Sequence, residues 1–313
     1  MTTGTAQREC EQVLEGSLDR PELFALIYSI DKETDWTTDE ALKMANPNIG
    51  VSVGFDFLKT AHKNAIKSAS KQNAFKTKHM NVWCNSATAF FNMASWMACG
   101  DHTLKPEMFE GKPCWIGCDI SSKLDLRAVV KVFKDAGTFY VFPKLYLPEE
   151  RALDATLGMY ANWVQQGAII PTDGNVIDID LIVEDTIADI EKYKPVEFAF
   201  DQWSAQLVTQ TIAKRCPKLV LAEIPQETRF LSPAMFEVEA WLAGKKIKHP
   251  NNPCANWCVS NVAAKVDARG NVYPRKDRGR NENKIDFVSA LLDAVSRILH
   301  GVEKKPSGKI FFA

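Results

Sequence analysis

Two short apolar runs each end in an acid: Cys114-Trp-Ile-Gly-Cys-Asp119-Ile120 and Val196-Glu-Phe-Ala-Phe-Asp201. A lone carboxylate in such a run must find a partner, shift its pKa or hold a metal ion. Asp286 opens a later helical pattern, and Asp293 follows seven residues on, on nearly the same helical face. If the two strands are neighbours, Asp119, Asp201 and Asp286 converge at one sheet edge. Carboxylates gathered this way repel one another, and a divalent cation removes the repulsion. Hard oxygen donors suit Mg²⁺ or Mn²⁺ rather than zinc. Two such ions, about 3.5–4 Å apart, would activate water and stabilise the leaving oxygen of a phosphodiester. Other roles stay open for each acid. Asp119 can serve the turn at Ser121 and Ser122, Asp286 can complement a helix dipole, and Asp293 reads equally as a surface acid.

The elements that must carry these acids follow an α/β order from Cys114 onward. Strands are expected at 114–120, 126–133 and 138–142, with a turn at Lys134-Asp-Ala-Gly137. A helix follows from Pro148 to Gln166, with Pro148 suited to its first turn. Then come a strand at 196–201, a helix at 204–215, a strand at 219–224 and a closing helix at 284–299. Three antiparallel strands followed by alternating helix and strand predict a mixed sheet flanked by helices.

The first hundred residues read differently. Phe24-Ala-Leu-Ile-Tyr-Ser-Ile30 has the composition of a strand, Thr37-Thr38-Asp39-Glu40 that of a helix start, and Asn46-Pro47-Asn48 that of a turn. Residues 56–80 read as an amphipathic helix whose lysines (59, 63, 67, 71, 76 and 78) form a solvated face. The linker is expected between Gly100 and Pro113.

Composition narrows the class. The chain has 313 residues, 46% of them hydrophobic, and its 38 Lys and Arg against 39 Asp and Glu leave a net charge of −1. A uniformly basic nucleic-acid coat protein is excluded, whereas local basic stripes are not. The eight cysteines are scattered, no secretory leader is evident, and no apolar run nears the ~18–20 residues of a membrane span. Reduced thiols in a cytosolic protein are expected. His249, Cys254 and Cys258 make one CxxxC and one His with no fourth ligand, so packing is preferred over a zinc clip.

Trp115-Ile-Gly-Cys-Asp119-Ile-Ser-Ser-Lys-Leu-Asp125-Leu resembles the Gly-x-Asp-x-Ser…Asp-Leu opening of the nuclease domain of tailed-phage terminase large subunits. Phe198-Ala-Phe-Asp201 and Lys284-Ile-Asp286-Phe-Val-Ser-Ala-Leu-Leu-Asp-Ala294 resemble that family's second and third acidic motifs, in the same order. Gly244-Lys-Lys-Ile-Lys-His249-Pro-Asn-Asn-Pro253, Trp257 and Asn271 to Arg275 match its style. Upstream, Asp35-Trp36, Ala45 to Ser52 and Lys78 to Trp83 resemble the end of the terminase ATPase domain, and Thr2-Thr3-Gly4 its coupling motif.

The resemblance implies a ribonuclease H-like nuclease domain at 109–300, the end of an ATPase domain at 1–108, and a tail at 301–313. Asp119, Asp201 and Asp286 carry over as catalytic metal ligands, with Asp125 as an accessory ligand. The implied activity is a two-metal-ion endonuclease using Mg²⁺ or Mn²⁺ on double-stranded phage DNA during genome packaging. Implied partners are the terminase small subunit and the portal, with no membrane, in the cytoplasm of an infected or prophage-bearing bacterial host. DNA contact falls to Lys245, Lys246 and Lys248, and to Arg275, Lys276, Arg278 and Arg280, as phosphate contacts that position the duplex without reading sequence. No G-x-x-x-x-G-K-[ST] loop is present, since Gly308-Lys309 is followed by Ile310 and has no glycine five residues before it. No nucleotide site or ATPase activity is therefore expected. Competing readings are another ribonuclease H-like nuclease, of resolvase or transposase type, and a non-catalytic assembly module of the packaging motor.

Overall fold

A computed structural model describes residues 10–312 except 11, 15, 17, 32–33, 68, 83–88, 121–124, 155–157, 202–205, 277–282 and 301–310. The chain falls into two compact units, Met1–Ala87 and Thr88–Ala313.

The first unit is built on α1 (Asp39–Ala45), α2 (Phe55–Lys67) and α3 (Ala69–His79). Thr38 caps α1, its hydroxyl accepting from the Ala41 N–H. His62 is buried, stacked on Phe75 at 5.3 Å, with Nε2 2.8 Å from the Trp36 carbonyl oxygen. Two of the lysines expected on a solvated face have local partners: Lys59 pairs with Asp39 at 2.7 Å, and Lys76 lies 4.4 Å from the Trp36 ring. The expected strand at 24–30 has no regular secondary structure and joins no ladder among the described residues. The Asn81 side chain donates to the Tyr28 carbonyl oxygen at 2.8 Å.

The second unit takes in residues that sequence groups with the N-terminal segment up to 108. Helix α4 (Met93–Ala98) carries Trp96, which is buried in the main core and donates from Nε1 to Asn256 at 2.7 Å. Phe109, ending a 3₁₀ turn, joins the core on the other sheet face. The stretch expected as a linker is thus anchored at both ends by buried aromatic rings.

The strands are β1 (Cys114–Asp119), β2 (Arg127–Asp135), β3 (Thr138–Pro148), β4 (Ile170–Thr172), β5 (Glu197–Asp201), β6 (Val220–Ile224), β7 (Ile247–Lys248), β8 (Val262–Val266), β9 (Val272–Lys276) and β10 (Phe311–Phe312). The main sheet runs β10-β6-β5-β1-β2-β3-β4, with β7 also on β3, while β8 and β9 form a separate hairpin. β1–β2–β3 is antiparallel, and β1, β5 and β6 are parallel. This is the expected mixed sheet.

β3 continues past the expected end at 142 because Pro143, opposite Val130, falls between the stretches where β7 and β4 pair on the strand's other side. A residue with no N–H is tolerated where no ladder needs one.

Between the strands lie α5 (Glu149–Ala152), α6 (Gly158–Gln165), α7 (Ile179–Tyr193), α8 (Gln206–Arg215), α9 (Thr228–Ala243), α10 (Pro253–Ser260) and α11 (Asp286–His300). The single helix expected from 148 to 166 is described as α5 and α6. No helix among the described residues is long and apolar enough to cross a membrane.

Alternation along β1 sends Cys114, Ile116 and Cys118 into the core under α7 and α8. Trp115, Gly117 and Asp119 face α11. On the first face, Lys131 Nζ meets Asp189 of α7 at 2.6 Å, and Lys144 reaches the same carboxylate at 2.9 Å. On the second, α11 lies directly on β1. A Cβ at Gly117 would sit 1.8 Å from the Ala290 carbonyl oxygen and 2.9 Å from Ala294 N, so only glycine allows this approach. The far end of α11 is held by Arg297, whose Nε and Nη2 donate to the two Glu197 oxygens at 2.6 and 3.2 Å, both side chains being buried.

Two outcomes follow for α11. Gly117→Ala must lift the helix off β1, and a large drop in melting temperature or loss of soluble protein is expected. Arg297→Leu leaves Glu197 buried and unpaired, at a cost of roughly 3–5 kcal/mol in denaturant unfolding. Glu197→Gln added to Arg297→Leu should recover much of that loss. A double variant no more stable than the single would show that the pair's charge is not what matters.

Candidate active site

The parallel pairing of β1 and β5 sets Cys118 opposite Phe200, so Asp119 and Asp201 end neighbouring strands at matched positions. Sequence predicts both acids but leaves the adjacency open; the sheet order supplies it. Along α11, Asp286, Ala290, Asp293, Ala294 and Arg297 recur at the spacing of one helical face. The contact of Ala290 and Ala294 with Gly117 turns that face toward the sheet. Asp286 is 6% exposed and Asp293 0%. Asp293 is therefore no surface acid.

The electrostatics register the crowding. Burial, and then the Asp119 charge, push the Asp286 carboxyl up to about 7, against the pull of nearby Lys276 and a backbone hydrogen bond. Asp293 is pushed well above the ordinary carboxylate range by burial and by Asp119 and Asp201, while a hydrogen bond from Gln226 Nε2 at 3.0 Å opposes the shift. Oδ2 of Asp286 and Oδ2 of Asp293 are both buried with no hydrogen-bond partner among the described residues. Glu223, beside Phe200 on β6, is raised by burial and by Asp201. Tyr273 of β9 is raised by burial and by Asp201, Asp293 and Asp119.

Asp119 and Asp201 are thus the centre of a field that also reaches Asp286, Asp293, Glu223 and Tyr273. Among the described residues, no three His, Cys, Asp or Glu side chains are drawn closely enough to form a ready ion cage. The donor set nevertheless fits a hard divalent cation: all its atoms are oxygens, and one buried oxygen of Asp286 lacks any other partner.

The other expected site residues divide. Asp125 is bound to Lys284 by an ion pair and also accepts from the Leu126 N–H at 3.1 Å. Lys276 stands near enough to Asp286 to oppose its protonation, and Arg275 precedes it on β9. Arg278 and Arg280 lie outside the described residues.

Lys245, Lys246 and Lys248 are not brought to the acids. Lys248 pairs with Tyr140, Tyr140 with Phe133, and Phe133 with Cys114, five residues before Asp119. At 3.3–3.4 Å per residue that is a separation of about 17 Å along the strands alone. His249 stacks on Trp96 at 3.9 Å, with Nε2 2.9 Å from the Trp96 carbonyl oxygen and Nδ1 accepting from the Asn251 N–H. Both ring nitrogens are used, which accounts for His249 as a packing residue.

Gln226, Glu223 and Tyr273 are the neighbours that sequence does not single out. Glu223 carries the one available signal, as an acid inside the apolar run Val220–Ile224.

A mixed sheet with acids at the ends of its two central parallel strands, capped by a helix bearing further acids, defines a ribonuclease H-like nuclease fold. The sequence model described as "Terminase large subunit, endonuclease domain" matches residues 18–302, and the chain belongs to that family. It is 34% identical over 306 residues to Protein YmfN of Escherichia coli (strain K12), covering 94% of this chain and 67% of that protein. It is 24% identical over 279 residues to the "Terminase, large subunit" of Enterobacteria phage HK97, covering 88% of this chain and 54% of that protein. The crystal structure of the HK97 large terminase superposes with a TM-score of 0.58 at 23% identity, over 93% of this chain and 60% of that one. The chain thus spans between half and two thirds of these relatives' length.

Burial of Asp286 makes stability depend on pH. The folded carboxyl keeps its proton to about pH 7, whereas the unfolded one loses it near pH 4. The folded state therefore binds more protons over this window, and stability falls as pH rises from about 4 to 7. In metal-free buffer, Asp286→Asn should raise the melting temperature by several degrees at pH 8 and by much less at pH 4. Parallel profiles for the two proteins would rule the charge cost out.

Proposed function

We propose that this chain is a divalent-metal-dependent endonuclease that cuts double-stranded DNA during genome packaging, with Asp119, Asp201 and Asp286 as its metal ligands. The reading is supported above all by Asp119 and Asp201 ending adjacent parallel strands beneath a helix that buries an unpartnered Asp286 oxygen. Asp125, held by Lys284, is an accessory group in this reading. Two bound Mg²⁺ or Mn²⁺ ions would supply Lewis acidity for hydrolysis of a phosphodiester.

The chain's own residues set the rest. β1 and β5 hold two carboxylates at fixed lateral spacing, α11 brings the third from above, and Lys276 supplies a cation beside it. Arg275 and Lys276 are assigned to phosphate contact near the cut, and Arg278 and Arg280, outside the described residues, to phosphate contact without a stated position. Lys245, Lys246 and Lys248 would meet a more distant part of the duplex. In this reading the chain acts in the bacterial cytoplasm during phage assembly, with the small subunit and portal as partners. In the same reading, the part of 1–108 that forms the first unit is the end of an ATPase domain.

Plasmid cleavage tests the proposal. With Mn²⁺ or Mg²⁺ the wild-type chain should nick and linearise supercoiled DNA, and chelator should stop it. Asp119→Ala and Asp201→Asn should cut only at background while retaining wild-type circular dichroism. Equal cutting by either folded variant refutes the metal-ligand assignment.

A further inference from the structure

Beside the acids lies an open cavity of about 680 Å³ between the start of α9 and the β8–β9 hairpin. Two of its lining residues reach the acid cluster. Gln226 donates from Nε2 to Asp293 Oδ1 at 3.0 Å and to the carbonyl oxygen of Ile224, the cross-strand neighbour of Asp201. Tyr273 lies within the fields of Asp201, Asp293 and Asp119. One wall of the cavity, Gln226, is therefore hydrogen-bonded to the acid cluster.

Its lining carries three cations, Arg229, Lys265 and Arg269, against two acids, Glu227 and Asp267. Arg229 is paired with Glu227 at 3.1 Å. Asp267 is used within its own turn, accepting from the N–H groups of Arg269 and Asn271 and from the Asn271 side chain at 2.8–2.9 Å. Lys265 and Arg269, both exposed, form no ion pair among the described residues, and, after the Asn271 side-chain hydrogen bond, the Arg269 charge helps hold Asp267 below the usual carboxylate range. Lys265 is the cross-strand partner of Tyr273, so a free cation stands directly beside the phenol that borders the acids. Cations lining a groove that ends at a carboxylate cluster suit a chain of phosphates, one of which reaches the acids while its neighbours stay clear of them.

We propose that this groove seats the sugar–phosphate backbone of the cleaved DNA strand to one side of the cut, Lys265 and Arg269 holding phosphates and Tyr273 positioning the phosphate nearest the acids. The proposal rests on the endonuclease reading and adds the path of the strand. Tyr273 and Gln226 are positioning residues here: Gln226 acts through Asp293, and Tyr273 orients the substrate.

The test uses the full chain, a fluorescent 30-base-pair duplex (about three helical turns) in chelator, and binding measured across a salt series. Each lost phosphate contact should lower the steepness of log K against log salt by about 0.9. Lys265→Ala with Arg269→Ala should lower it by nearly two and weaken binding about tenfold at low salt. Lys218→Ala, at a separate cavity lined by Lys194 and Arg215, should change neither. Tyr273→Phe should reduce kcat in Mn²⁺ while leaving the duplex Kd within about twofold.

An unchanged salt slope in the Lys265/Arg269 variant overturns the groove, as does an equal change in Lys218→Ala; unchanged kcat in Tyr273→Phe overturns the tyrosine's part. The two readings separate through cleavage. If wild type cuts and Asp119→Ala does not, an unaltered slope defeats the groove alone. If wild type never cuts, the endonuclease reading fails, and a slope that still depends on Lys265 and Arg269 upholds the groove as a DNA seat.

Discussion

The contact on which the second unit depends is between two backbones. The Ala290 carbonyl of α11 rests where any side chain at position 117 of β1 would have to be. That contact sets the height of the helix above the sheet and turns one face downward. Asp286 and Asp293 then lie over the strand ends, and Arg297 over Glu197 eleven residues further along. Moving the helix outward by the radius of a methyl group would displace acids and ion pair together, because all are carried on one rigid element.

Fixing the helix so close makes the site electrostatically expensive. Asp119 raises both Asp286 and Asp293, and two buried carboxylate oxygens have no partner. The surroundings answer only in part: Gln226 donates to Asp293, Lys276 faces Asp286, and Lys284 draws Asp125 to itself. Unmet polar demand of this kind is characteristic of places where a protein's chemistry, rather than its stability, sets the choice of residue. The opposite sheet face shows the contrast, since Asp189 there meets both Lys131 and Lys144.

Much of this was legible in the chain. An apolar run that stops at an acid reports the end of a buried strand, and the runs ending at Asp119 and Asp201 were readable without any structure. Their adjacency was not, because strand order is decided by long-range pairing that no local pattern records. Asp293 was ambiguous for another reason. Nearly every position of α11 from 286 to 297 is buried, so its periodicity could not say which face was wet. Lys245, Lys246 and Lys248 announce a charge but not a location, and β7 takes them to the opposite end of β3's neighbours. The β8–β9 hairpin, which brings Tyr273 to the acids, turns at Asp267 to Asn271 with Gly270 at φ 84°. Its short strands carry too little alternation to stand out.

The irregular stretch from Phe24 to Ile30 bears on handling rather than chemistry. Phe24, Leu26 and Tyr28 are 87, 60 and 47% exposed along a backbone with no ladder partner among the described residues. Such a segment is a template for pairing between molecules, and its apolar residues favour clumping. The flanking sequence carries the usual brakes: Asp19, Arg20, Pro21 and Glu22 on one side and Asp31 on the other. Within this segment, three apolar side chains that favour association are set against the charges and proline at either end.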